Sequence, residues 1–91
     1  MSRLDKREIL YGSGKEFNKS LPHVVRISHK DDGYSGYSTY LSIRTWVKSN
    51  TYGKWYSCFQ STLVLKKKRI IVSIFRFENE TDAVMFKLYW N

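Results

Sequence analysis

Four consecutive cations, Lys66, Lys67, Lys68 and Arg69, stand in LVLKKKRIIVSIFRF, directly against some of the most apolar residues of the chain. Clustered positive charge of this kind can hold phosphate oxygens. It can equally solubilise a hairpin tip, where lysine guards against edge-to-edge aggregation. Two features favour an anion. The run lacks the Asn-Gly or Asp-Gly pair of the preferred two-residue hairpins. It also belongs to a longer stretch, between Gly33 and Phe77, that contains no acidic residue.

Arg44, Lys48, Lys54 and Arg76 lie in the same stretch, and Tyr34, Tyr37, Tyr40, Trp46, Tyr52, Trp55 and Tyr56 are interleaved with them. Bases of single-stranded nucleic acid stack on exposed rings while Lys and Arg follow the phosphates. Tyr34, Tyr37 and Tyr52, in segments rich in Gly and Ser, are the rings expected to stack. Trp46, Trp55 and Phe75 are expected in the core of so small a domain. The candidate nucleic-acid-binding set is therefore Lys66, Lys67, Lys68, Arg69, Arg44, Lys48, Lys54, Arg76, Tyr34, Tyr37 and Tyr52.

Other chemistry is weaker. Two imidazoles with a lysine can cleave RNA by acid–base catalysis, but His23 and His29 lie six residues apart, about 20 Å along an extended strand. YGSGK, from Tyr11 to Lys15, looks like a fragment of a phosphate-binding loop. It lacks the first glycine at the required spacing, and Glu16 stands where a Ser or Thr would ligate magnesium. It reads as a plain loop. Cys58, two separated histidines and acids concentrated at a helix start make no recognisable metal site, and no cofactor is expected. Cys58 reads as a small buried hydrophobe.

These side chains need a scaffold that 91 residues can supply as one domain with a modest core. The hydrophobic share of 42% and charged share of 26% are those of a globular fold. Nothing approaches the roughly 20 apolar residues of a membrane span, and MSRLDKREILYGSGKEF has no apolar segment of a secretory signal. A single cysteine makes no internal disulfide, which points to a reducing cytoplasm. The formal net charge of +8 suits an anionic partner.

HVVRISH alternates, with Val25 and Ile27 on one face and Val24, Arg26 and Ser28 on the other, and reads as a strand. KDDGYSGYS reads as a loop. In STYLSIRTWVKSN, Tyr40, Ile43, Trp46 and Val47 recur at helical spacing, with Ser38 or Thr39 able to cap the start and Asn50 near Gly53 to end it. KWYSCFQSTLVLK and RIIVSIFRF read as strands, the second apolar on both faces and so central or covered twice. Asn79 looks like the N-cap of a last helix from Glu80 to Trp90, with Asp82 in its first turn and Ala83, Phe86 and Trp90 on its buried side. The expectation is an α+β sandwich in the order β-α-β-β-α, an antiparallel sheet of about three strands or more with two helices packed on it. Residues 21–91 form the domain, preceded by a loosely ordered segment over residues 1–20.

FRFENETDAVMFKLYW resembles the end of small accessory proteins of T-even-like bacteriophages. In those a strand gives way to an aromatic–acidic turn and then a helix of the type acid-x-Asp-Ala-x-x-Phe-Lys-Leu. Phe77, Glu78, Glu80, Asp82, Ala83, Phe86, Lys87, Leu88 and Trp90 carry the likeness, with Trp46 and the GKWY around Trp55 compatible with it. The resemblance implies a protein that redirects or disarms host machinery. One subgroup is similar to RNA-binding inhibitors of toxin–antitoxin endoribonucleases, which this size and basicity suit. The same strand-then-helix ending resembles RNA-recognition modules, but Phe75 and Phe77 lack the Gly-Phe pattern of their central strand.

The expected function is thus a small, non-catalytic RNA-binding phage accessory protein in the host cytoplasm, acting on a toxin endoribonuclease or another RNA-handling enzyme; a homodimer is compatible with it. The alternative is a protein–protein inhibitor whose basic face docks on an acidic or nucleic-acid-binding surface of a host enzyme.

Overall fold

A computed structural model describes residues 6–30, 37–65 and 68–90, with the backbone alone for residues 30, 61–65, 68 and 69. Its elements are α1 (Gly14–Ser20), β1 (His23–Lys30), α2 (Tyr37–Asn50), β2 (Trp55–Leu65), β3 (Lys68–Phe77) and α3 (Glu80–Trp90). The three strands form an antiparallel sheet in the order β1-β3-β2. β3, apolar on both faces, takes the centre, where both neighbours satisfy its backbone. The α+β class and the three-stranded sheet match the expectation from sequence.

Alternation divides the sheet cleanly. Val25, Ile71, Phe75, Phe77 and Trp55 are buried on the inner face, beneath α2 and α3. Phe86 of α3 lies 5.0 Å from the Phe75 ring and 5.2 Å from that of Phe77. From α2, Tyr40, Ile43 and Val47 enter the same core, and the Tyr40 hydroxyl lies 2.7 Å from Ser57 Oγ on β2. Trp46 joins the two helices, stacked on Tyr89 at 5.1 Å and edge-on to Phe86 at 6.0 Å.

Two long-range polar contacts fix the ends of the helices. α2 begins at Tyr37, so Ser38 and Thr39 lie inside its first turn and do not cap it. At its other end Arg7 donates to the carbonyls of Lys48 (2.9 Å) and Thr51. A guanidinium there satisfies orphaned carbonyls and meets the negative end of the helix dipole. In the first turn of α3, the fully buried Asp82 carboxylate accepts from the backbone amides of Tyr52 (3.1 Å) and Gly53 (2.8 Å). A Cβ on Gly53 would come within 2.7 Å of Asn79 Nδ2, so only glycine lets this loop close on the helix start.

The sequence predicts two helices on the sheet; the described residues form three. YGSGK, with the composition of a loop, runs into α1. Ser13 caps it, its Oγ accepting from the Glu16 amide (3.2 Å) and donating to Glu16 Oε1 (3.3 Å). Ser13 and Glu16 have the spacing of a capping box, a signal masked by two flanking glycines. Phe17 holds the short helix down, its ring 4.4 Å from that of Tyr56 on the outer face of the sheet. Within the segment expected to be loose, residues 7–9 also lie along the β2 edge, with Ile9 N bonded to Trp55 O (2.7 Å) and Trp55 N to Arg7 O (3.2 Å).

Candidate nucleic-acid interface

The sheet register sets the positions from which a basic surface can be built. On the outer face, residues line up in rows across β1, β3 and β2: Val24–Arg76–Tyr56, Arg26–Ile74–Cys58 and Ser28–Val72–Gln60, followed by Ile70 on β3. No strand contains an Asp or Glu. α1 and its C-cap Leu21 meet the first row, through Phe17, Asn18 and the Leu21 carbonyl. Ile70, Val72 and Ile74 form a half-buried aliphatic stripe down the middle, with Arg26, Ser28 and Gln60 exposed beside it.

The predicted site residues do not converge. β2 ends at Leu65 and β3 begins at Lys68, so the cationic run marks the junction between them. Lys66, Lys67 and Tyr34 lie outside the described residues, and Lys68 and Arg69 are placed by their backbone. Lys48, Tyr52 and Lys54 belong to the opposite end of the sheet, about 30 Å away by the rise of a strand. There two of them meet carboxylates through their backbones: the Tyr52 amide donates to Asp82 (3.1 Å), while Lys54 and Glu78 are bonded backbone to backbone (2.9 Å) and Glu78 Oε1 accepts from Lys54 N (3.2 Å). The acid-free stretch of sequence is therefore not acid-free in space at this end. Tyr37 is partly spent on packing, 5.6 Å from Phe59 and 6.1 Å from Tyr40. Tyr52, 79% exposed, is the most open predicted ring among the described residues.

Arg44 faces inward. Its guanidinium forms a two-pronged pair with Glu8 (2.6 and 3.0 Å), lies 3.3 Å from Ser57 Oγ, and sits 5.3 Å from the Trp55 ring centre. Burial alone would lower its pKa, but the hydrogen bonds and charge of Glu8 and Tyr40 outweigh that and raise it. Such an arginine is fixed in its charged state by a neighbour that cancels the charge, which makes it part of the architecture.

Arg76 has the opposite surroundings. Its guanidinium lies 5.5 Å from the Phe17 ring centre and donates, at 3.4 Å, to Asn18 Oδ1 and the Leu21 carbonyl. All three partners are uncharged, so among the described residues the charge is held in place without being neutralised. Arg26, absent from the set predicted from sequence, is its diagonal neighbour on the same face. Its signal was legible: alternation in HVVRISHK puts Arg26 with Val24 and Ser28, in a strand without acids. Asp31 and Asp32, which follow in the chain, broke the acid-free count before it reached this strand.

The remaining reactive groups stay apart. His23 pairs with Phe77 and His29 with Ile71, at opposite ends of β1. His29 Nε2 lies 3.0 Å from Oγ of the fully buried Ser73. Cys58 is half-buried. Tyr56 has its pKa raised, by burial first and by Cys58 next, while Arg76 opposes the shift. Among the described residues no three His, Cys, Asp or Glu side chains could share a metal ion, and no described helix is long and apolar enough to cross a membrane. No family model, curated protein or solved structure matches the chain, so the resemblance to phage accessory proteins rests on the carboxy-terminal residues that carry it.

Proposed function

We propose that this chain is a non-catalytic RNA-binding protein, and that its resemblance to phage accessory proteins directs that binding at a host RNA-handling enzyme, a toxin endoribonuclease being the case its size and charge suit. One observation carries the reading: the carboxylates of the described residues gather at Arg44 and around the starts of α1 and α3, while none of the three strands contains an acid and β1, β3 and the β2–β3 junction carry cations. A surface so partitioned is positive where it is polar, and a phosphate chain is the polyanion it suits.

The test is RNA affinity at several salt concentrations for the parent and for a variant with Lys66, Lys67, Lys68 and Arg69 all replaced by Gln. The parent should bind with a steep salt dependence. The variant should bind much more weakly, with the log–log slope lowered by roughly 0.7 for each phosphate no longer neutralised, and with its fold intact. An unchanged slope would make the run a solubilising tip. A parent that binds no RNA would end the reading.

A second reading has its own support. On α3, Val84, Leu88 and Tyr89 are exposed, Leu88 by 79%, and apolar groups so open on one helix suit a protein partner. A protein–protein inhibitor docking on an acidic or nucleic-acid-binding host surface would be captured from infected cells equally well with and without RNase; an RNA-dependent complex would be lost on digestion.

A further inference from the structure

Within that RNA-binding reading, we infer that the outer face of the sheet is a shelf for a single strand, on which Arg26 and Arg76 clamp a backbone phosphate and the Ile74–Val72–Ile70 stripe takes the adjoining bases. Arg26 is opposite Ile74, two residues from Arg76 on the neighbouring strand. Diagonal neighbours of this kind stand about 7–8 Å apart, close enough for two long side chains to meet over one anion. Like charges so placed repel, and none of the described carboxylates relieves them. Glu8 is bound to Arg44, Glu16 to Ser13, Asp82 to the Tyr52 and Gly53 amides, and Glu78 to the Lys54 amide, while Glu80 opens α3. A bridging phosphate supplies the missing negative charge through charge-assisted bonds.

Arg76 is prepared for this role. Asn18, the Leu21 carbonyl and the Phe17 ring fix its guanidinium with neutral contacts, so little freedom remains to be lost on binding. α1 thus acts as the end wall of the shelf. The stripe beyond it is aliphatic, and its half-buried floor lets bases lie flat without a sequence-specific partner. On the β2 side, exposed Gln60 shares a row with Val72 and offers both a donor and an acceptor to a base edge. The strand therefore runs with its phosphates toward β1 and its bases toward β2. A duplex, whose bases are stacked inside, gains nothing from such a floor, so single strands are preferred.

The probe is a fluorescently labelled, unstructured RNA dodecamer, titrated at several salt concentrations, with the duplex of the same sequence alongside. Arg26→Gln with Arg76→Gln should weaken single-strand binding tenfold or more and lower the log–log slope by roughly 0.7 per phosphate released. Gln60→Ala should alter preference among RNA sequences while leaving the slope in place. Lys87→Gln, on α3 across the sheet, removes a positive charge elsewhere and should leave both affinity and slope near those of the parent. If the double variant does not fold, Arg26→Gln alone decides, because that side chain is exposed. Arginine variants that bind like Lys87→Gln overturn the shelf, and they do so independently of the wider reading if the variant lacking the Lys66–Arg69 charges is still impaired. A parent that binds duplex as tightly as single strand also overturns it. A parent that binds no RNA overturns both.

Discussion

The two faces of the sheet are made from the same strands, residue by residue in alternation, and they have been put to opposite uses. Inward, Trp55, Phe75, Phe77 and Phe86 are fully buried, and the one arginine that reaches this side from α2 is matched by Glu8. Outward, the centre is Ile70, Val72 and Ile74, α1 meets the first row, and the arginines are held by neutral groups or by none of the described residues. Aromatic mass has gone where it stabilises, and uncompensated charge where it is available. Arg44 and Arg76 make the contrast concrete: each lies near an aromatic ring, yet among the described carboxylates one is paired with the first and none with the second. A count of cations along the chain treats them alike, and the count of nearby carboxylates separates them.

The inner face depends most on Phe86. Phe86→Ala removes a ring in contact with both Phe75 and Phe77 from a site with no exposure. The loss should be about 3–5 kcal/mol, read as a fall in the denaturation midpoint. Against a typical stability of about 5–15 kcal/mol, this would leave a marginal fold. An unchanged midpoint would mean that α3 does not bury this side.

Arg44→Met sharpens the contrast between the arginines. Methionine keeps the packing against Trp55 but leaves the nearly buried Glu8 carboxylate without its partner. Stability should fall by about 2 kcal/mol, below the full cost of breaking a deeply buried pair because Arg44 keeps some contact with solvent. RNA affinity and its salt slope should stay as in the parent. A variant that folds well but loses RNA binding would return Arg44 to the interface and remove the distinction from Arg76.

How much of this was legible in the chain follows the range of each interaction. The strands, α2 and α3 are written in local alternation and helical spacing, and Asn79 with Asp82 announces the last helix. The central place of β3 follows from an apolar pattern on both its faces. What Asp82 does there was not legible, because its partners, the amides of Tyr52 and Gly53, lie about thirty residues earlier. Arg7 on the end of α2 and Glu8 on Arg44 are likewise contacts across more than thirty-five positions. α1 failed for a local reason: glycines at positions 12 and 14 outweighed the Ser13–Glu16 capping signal and the single buried Phe17. The site suffered most, since a stretch acid-free in sequence met Glu8, Glu78 and Asp82 once folded, while Arg26, outside that stretch, came to lie on the face without acids.

The smallest effect is expected from the two histidines. Both occupy inner-face positions of β1, His23 opposite Phe77 and His29 opposite Ile71, so they point away from the outer face and are separated by about 20 Å of strand. His29 has a partner in Ser73, whose hydroxyl is sealed from solvent and cannot meet a phosphate. A two-imidazole cleavage of RNA needs both rings at one phosphodiester, and no position along a straight strand provides that. Replacing His23 and His29 with Gln keeps hydrogen-bonding capacity at both sites and exchanges one bond to Ser73 for another. The cost to stability should be about 1 kcal/mol or less, with RNA affinity, salt slope and RNA integrity after prolonged incubation all unchanged. RNA that is cut by the parent and left whole by the folded double variant would restore the nuclease reading and make the inner face, with its two histidines, the working side of the sheet.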